Sequence, residues 1–296
     1  MDGILKVGVL RGGATGKTSH DYDASIEKGN LVLNNLSERF KPVDIFIDKA
    51  GLWHVQGLPA LESRLKEKID VVINALHGPF GLIGGGEQVL KKMNLPFTGS
   101  VWNENSLPIS RAAMNFRLRE LGFQTPFFQT VEEDAISGAQ KIFTKMSPPW
   151  RIAPPVVNTA SPIYLAKDLN ELIAALKLIL EDYGSAYVEE NISGEPATSG
   201  VVEQFRNKIW YQLPAQGGLD ERQKREIENL AEKIHLNLGL RHYCQIDFVV
   251  SPKRGVFVIN VEPLPHFGGS FGNMLEYVGC SLSNFLDHAI FLAREY

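Results

Sequence analysis

Apolar and polar positions along the chain follow two periods, one of strands and one of helices, and their order predicts the elements. Residues 6–10 form a short apolar run of the buried-strand type, and a polar, glycine-rich loop follows over 11–23. The spacing over 24–40 predicts a helix with Leu31, Leu36 and Phe40 on its core side. Further strands are predicted over 43–47 and 71–76, the latter ending at His77-Gly78. A helix over 87–93 and a short strand from Phe97 continue the alternation, which predicts a parallel α/β unit over residues 1–100. Ligands collect beyond the C-terminal strand ends of such sheets, where Arg11-Gly12-Gly13 and His77-Gly78 fall.

Residues 110–122 read as a helix capped by Ser110 and closed by Gly122. The central stretch, 101–190, is a smaller mixed unit with strands over 127–131, 150–153 and 186–189, a helix over 169–180, and a tract at 140–145 that fits either class. The last stretch, 191–296, carries strands over 201–204 and 209–212, an amphipathic helix over 221–238 and a final helix over 282–294. Within it, residues 244–265 form two apolar, β-branched runs around a turn at 251–255, a β-hairpin pattern. Asp247, Asn260 and Glu262 interrupt those runs. Strand alternation puts Asn260 and Glu262 on one face, and antiparallel pairing brings Asp247 close to Asn260. Two carboxylates and an amide suit a hard cation such as Mg²⁺; acids exposed at a sheet rim are the plainer alternative.

Composition narrows the function classes. A net charge of −4 and the lack of any lysine/arginine block argue against a nucleic-acid or membrane surface. Two cysteines, Cys244 and Cys280, in separate apolar contexts do not make a disulfide scaffold, and no histidine in the sequence pairs obviously with Cys244. The first residues lack the pattern of a signal peptide, and no run approaches the roughly 18 apolar residues of a membrane helix, so a cytoplasmic protein is expected. Residues 12–18 imitate a phosphate loop, but Gly12 and Gly16 are one residue too close and a polar stretch delays the helix; a plain strand-to-helix loop is the better reading. His20, His54, His235, His242 and His288 lack metal-ligand spacing, and Trp53, Trp102, Trp150 and Trp210 read as packing residues.

Several motifs in one order resemble the D-alanine–D-alanine ligase family across nearly the whole chain. They are the glycine loop ending at Gly13, the Asp21-to-Ile26 segment, Asn74 to Gly78, Leu95 to Ser100, the segment from Glu189 to Gly194, and Ile246-Asp247-Phe248. The resemblance implies an α/β protein: an N-terminal parallel α/β domain followed by a two-part, α+β ATP-grasp fold. It further implies a carboxylate–amine ligase of peptidoglycan biosynthesis. ATP would phosphorylate one D-alanine, and the amine of a second would attack the acyl-phosphate. Catalysis of that kind rests on positioning and charge neutralisation. By resemblance, Asp21, Ser25, His77, Gln245 and His266 fall at catalytic positions, and Glu189, Glu190, Ile192 and Glu195 at the nucleotide hinge. Asp247, Asn260 and Glu262 would hold Mg²⁺ beside ATP, and the N-terminal half would form a homodimer.

Many positions depart from the family pattern. The first phosphate lysine matches Asn115 and the second matches Ala153. The closing glycine/serine loop is replaced by the proline-bounded segment 155–162, the ribose glutamate by Pro196, and the oxyanion arginine and glycine by Gln245 and His266. The acidic pair after His77-Gly78 becomes Leu82-Ile83, and the long lid loop is missing between Leu213 and Pro214, so Tyr211 cannot simply stand in for the lid tyrosine. Arg111 and Arg151 share faces with the lost lysines and are candidate replacements or ordinary solvated arginines; Lys17 and Lys145 are weaker candidates. So many changes in the site with an intact scaffold point to a catalytically degenerate homologue. The alternative is an active ligase of D-alanine or a related small amino acid that uses the arginines.

Overall fold

The computed structural model describes residues 4–13, 20–78, 86–100, 110–157, 160 and 162–295. Lys17 and most of the imitation phosphate loop, Leu82-Ile83, Trp102, and three positions of the 155–162 segment lie outside the described residues.

The first sheet is built from β1 (Leu5–Gly12), β2 (Phe40–Ile47), β3 (Trp53–Val55), β4 (Leu58–Pro59) and β5 (Val71–Asn74), with α1 (His20–Asn35) and α2 (Gly86–Lys92) joining them. Its order is β4-β3-β2-β1-β5. The central pairs β1–β2 and β1–β5 are parallel, as expected, but β2–β3 and β3–β4 are antiparallel, so the sheet is mixed. The missed extension turns at Gln56-Gly57, where φ is positive at both residues (53° and 76°), the conformation of a two-residue hairpin turn. The first helix also differs from the expected 24–40. It starts at His20, with Asp21 and Asp23 in its first turn complementing the helix dipole, and ends at Asn35. Phe40, expected on the helix, opens β2 instead.

The second sheet contains β6 (Phe128–Val131), β7 (Trp150–Ala153), β8 (Tyr164–Ala166) and β9 (Ala186–Glu190) in the order β6-β9-β7-β8. Helix α3 (Arg111–Glu120) precedes it; α4 (Ala135–Lys145) and α5 (Leu169–Tyr183) cover it. The tract at 140–145 belongs to α4, whose N-terminus is capped by the Asp134 carboxylate accepting from Ile136 and Ser137 N–H.

The third sheet, β11-β10-β12-β13, joins β10 (Glu195–Glu203), β11 (Trp210–Gln216), β12 (Tyr243–Ser251) and β13 (Gly255–Glu262). Helices α6 (Glu221–Asn237), α7 (Ser270–Tyr277) and α8 (Leu282–Glu295) complete the chain. Strand β10 starts well before the expected residue 201. Pro196 lies beyond the β11 ladder, which reaches only Thr198, so a proline at this strand end removes no bond to that neighbour. The hairpin forms as expected, with Asp247 opposite Asn260. Strand β11 runs unbroken through Leu213-Pro214, where the lid loop would insert. One buried cluster unites Val7, Val32 and Ile73 with Tyr243, Phe271 and Phe285, so the first sheet shares its core with the C-terminal helices. That shared core fixes His77, at the end of β5, relative to the hairpin.

Candidate functional site

A cleft of about 510 Å³ opens between the second sheet and the hairpin, lined by Arg111, Arg151, Thr198, Asp247, Asn260 and Glu262 among others. The hairpin supplies its floor. Asp247 Oδ1 accepts from Thr198 Oγ1 at 2.9 Å and Gln245 Nε2 at 3.0 Å, while Oδ2 accepts from Asn260 Nδ2 at 3.2 Å. Glu262 Oε1 accepts from Leu264 N–H at 3.2 Å.

Two guanidiniums form the opposite wall. Arg151 on β7 stands in register with Glu189 on β9, and its Nε lies 3.2 Å from Glu189 Oε1. The contact is close enough for an ion pair but off-axis, leaving that Nε–H without an aligned acceptor. Arg111 is fixed at the start of α3 by its own N–H donating to Pro155 O at 2.7 Å. Its Nη1 makes a long 3.5 Å contact with Asn260 Oδ1, and its Nε is likewise buried without a partner. Burial pushes the buried Glu189 carboxyl upward, and Arg151 and Arg111 oppose that rise. Both arginines therefore face the cleft; neither is an ordinary solvated side chain.

The two lysine positions have been absorbed into the scaffold. Asn115 is buried, donates from Nδ2 to Tyr187 Oη at 2.8 Å and Pro126 O at 3.3 Å, and accepts from Thr125 Oγ1 at 2.7 Å. Ala153 packs with Phe128 and Tyr187 in a small apolar cluster. Lys145 points elsewhere, donating to Gln129 Oε1 at 3.0 Å on an exposed surface.

Beyond Glu262 the cleft meets a second group of polar residues. Lys28, fully buried on α1, donates from Nζ to Leu264 O at 2.9 Å and lies 4.9 Å from the Phe267 ring centroid. His77 is buried with neither ring nitrogen partnered, and its ring centroid is 6.4 Å from that of His266, whose Nε2 is also unpartnered. Burial holds His77 well below the usual imidazole range, with the Lys28 charge adding to the effect. Asp21 and Ser25 have structural bonds already: Asp21 Oδ1 accepts from Ala160 N–H at 2.7 Å, and Ser25 Oγ accepts from Gly12 N–H at 2.9 Å. Asp21 also closes on Gly78, where a side chain would meet its carboxylate, which explains the glycine. Lys28 carried no sequence signal beyond a charged residue on the buried side of a helix.

The positions expected at a nucleotide hinge scatter. Ile192 is buried, whereas Glu190 faces outward in a bidentate pair with Arg254 and accepts from Phe127 N–H. Glu195 is exposed and accepts from Gly218 N–H at 2.7 Å. Tyr211 packs edge-on against Phe205, away from the cleft. Cys244, read as lacking a histidine, does have one: His235 Nδ1 lies 3.3 Å from its sulfur, and His235 Nε2 lies 3.0 Å from Glu203 Oε1. The sequence hid this pairing because α6 and β12 meet only in the fold. The thiol is fully buried and pushed up by burial, so the arrangement is a packed polar network rather than a nucleophile.

No protein-family model matches the chain. The D-alanine–D-alanine ligase of Pelotomaculum thermopropionicum is 24% identical over 322 residues, covering 98% of this chain and 97% of that protein. The D-alanine–D-alanine ligase structure from Coxiella burnetii superposes with a TM-score of 0.80 at 20% identity, covering 98% of this chain and 94% of its own. That of Bacillus anthracis complexed with ATP gives a TM-score of 0.76 at 22% identity, with 98% and 97% covered.

The chain has the ATP-grasp fold of the D-alanine–D-alanine ligases and is similar to them in sequence along nearly its whole length. Within this ligase family Mg²⁺ is the implied metal, and the donors here do not fit a pair of divalent ions. Of two carboxylates, Asp247 already accepts on both oxygens, and burial pushes Glu262 upward with the Lys28 charge opposing. Two guanidiniums line the same cleft. Among the described residues no group of three or more acidic, histidine or cysteine side chains could hold a metal ion. In the same ligase fold, no helix among the described residues is long and apolar enough to cross a membrane.

Proposed function

We propose that this D-alanine–D-alanine ligase homologue has lost the ATP-driven joining of two D-alanines and keeps a ligand-binding cleft. The observation that carries the reading is the fate of the phosphate-lysine positions: Asn115 is tied to Thr125, Pro126 and Tyr187, and Ala153 is packed among aromatics. Each lost donor to a developing charge costs of order 10²–10³ in rate. Losing several at once, with β11 closed where the lid would rise, is enough to abolish turnover even without additivity. The test is phosphate release and dipeptide formation from ATP, Mg²⁺ and D-alanine. No release above a protein-free blank is expected; sustained D-alanine-dependent release would sink the reading.

A second reading, an active small-amino-acid ligase, draws on one observation: Arg111 and Arg151 line the same cleft as Asp247, Asn260 and Glu262. A small amino acid such as D-alanine is the ligand proposed near His77 and His266, whose unpartnered nitrogens support a polar occupant. We further propose a division into units 1–100, 101–190 and 191–296, supported by three separate sheets. A homodimer through the N-terminal unit is supported by the exposed Leu52, Leu58 and Leu61. Sedimentation at two concentrations tests the dimer.

A further inference from the structure

Lys28 joins the first helix to the end of the hairpin. Its side chain is fully buried, and its Nζ donates to the carbonyl of Leu264 at 2.9 Å. The N–H of the same Leu264 donates to Glu262 Oε1 at 3.2 Å. One residue thus holds an ammonium at one end and a carboxylate at the other. The ammonium also lies 4.9 Å from the Phe267 ring centroid, a second attraction for positive charge. Around the hairpin, Glu189, Asp247 and Glu262 face Arg111, Arg151 and Lys28, three formal charges of each sign. A divalent ion added to that set would leave two positive charges in excess. Its oxygen donors are also engaged: Asp247 on both oxygens, Glu262 by Leu264, and Asn260 Oδ1 by the long contact with Arg111.

We propose that Lys28 is a built-in counter-ion for Glu262, supplying from within the chain the positive charge that a metal-dependent hairpin takes from a divalent ion. The hairpin is complete without metal, and it becomes a divalent-cation site only when Lys28 is removed. Mg²⁺ demands near-octahedral oxygen ligands and keeps several waters. An ammonium carries three donors on one nitrogen and arrives on an apolar stem, so it enters a fully buried place that a hydrated ion does not. The two opposite charges also offset part of each other's burial cost. The inference stands apart from the loss of turnover, because cation binding is read with neither ATP nor D-alanine present.

The experiment titrates Mn²⁺ into the full-length protein, freed of metal with EDTA and moved to chelator-free buffer, and reads the free ion by its electron paramagnetic resonance. The native chain is expected to bind no Mn²⁺ at micromolar levels, with the same thermal midpoint in EDTA and in Mn²⁺. Lys28→Ala leaves Glu262 unopposed and makes room for water. It should bind one Mn²⁺ about tenfold or more tightly than the native chain, the size of one close charge removed. Adding Glu262→Gln to that variant should abolish the gain. Where Lys28→Ala is unfolded in EDTA, Mn²⁺ should restore its far-ultraviolet circular dichroism. Micromolar Mn²⁺ binding by the native chain, no gain in Lys28→Ala, a gain that survives Glu262→Gln, or an unfolded Lys28→Ala that Mn²⁺ does not restore each overturns the proposal.

Discussion

Arg151 and Glu189 face each other in register across β7 and β9, with 3.2 Å between Nε and Oε1. The Glu189 carboxylate is therefore held between protein cations, Arg111 included, before any ligand arrives. A glutamate in this state restrains the arginines electrostatically.

Restoring a single family residue should fail for a structural reason. Asn115 satisfies Tyr187 Oη, Thr125 Oγ1 and the Pro126 carbonyl in a buried pocket. Asn115→Lys removes those partners and places an ammonium beside Arg111 and Arg151. The expected cost is roughly 1–3 kcal/mol, the range for buried polar groups left unmet, seen as a lower urea midpoint, with no gain in phosphate release. Recovery of D-alanine-dependent turnover in this variant would show that the position alone silenced the enzyme.

The sequence carried the family, the central parallel strands and the hairpin register because each is a local pattern. Asp247 opposite Asn260 follows from strand alternation and the short turn. It did not carry the engagement of Asp247 by Thr198, which reaches it from β10, nor the pairing of His235 with Cys244. Both depend on which strands and helices lie side by side. Lys28 was the deepest omission. A lysine on a surface helix reads as solvated, and only the packing of Phe267 and Leu264 over α1 buries it. The arginines were legible as candidates because helix and strand periods placed them on the lysine faces; that they reach the cleft was decided by tertiary structure.

Acid stability should report His242. Its Nδ1 accepts from Gly99 N–H at 2.9 Å, so the ring must be neutral at that nitrogen. Burial and then the Arg241 charge hold it down to about 4 from its ordinary 6.5. A depressed folded value means stability that is present above 6.5 and lost as pH falls through 4. The full effect is about 3 kcal/mol at 1.36 kcal/mol per pH unit. Asparagine tolerates the positive φ of 68° at this site and can still accept a bond. His242→Asn should move the acid-unfolding midpoint to lower pH. An unshifted midpoint would mean another group controls acid unfolding.

Lys28 and Glu262 should shape stability near neutrality. Burial lowers Lys28 from 10.5 to about 7, with Glu262 opposing, and raises Glu262 from 4.5 to about 7, with Lys28 opposing. For Lys28, whose folded value is depressed, stability is present above 10.5 and declines as pH falls toward 7. For Glu262, whose folded value is raised, stability is present below 4.5 and is lost as pH rises through 7. The two declines meet near pH 7, where the pair contributes least. A plot of thermal midpoint against pH should therefore dip around neutrality. Lys28→Met combined with Glu262→Gln replaces both charges with groups of similar volume and should fill the dip. The midpoint at pH 7 is expected to rise by several degrees, at roughly 2–4 °C per kcal/mol for a chain near this size. Lys28→Met alone removes the charge that holds Glu262 down, so that variant should lose stability progressively as pH rises above 4.5 and go on losing it beyond pH 7. A double variant with an unchanged midpoint at pH 7 would mean that water or a bound ligand already relieves the pair in solution.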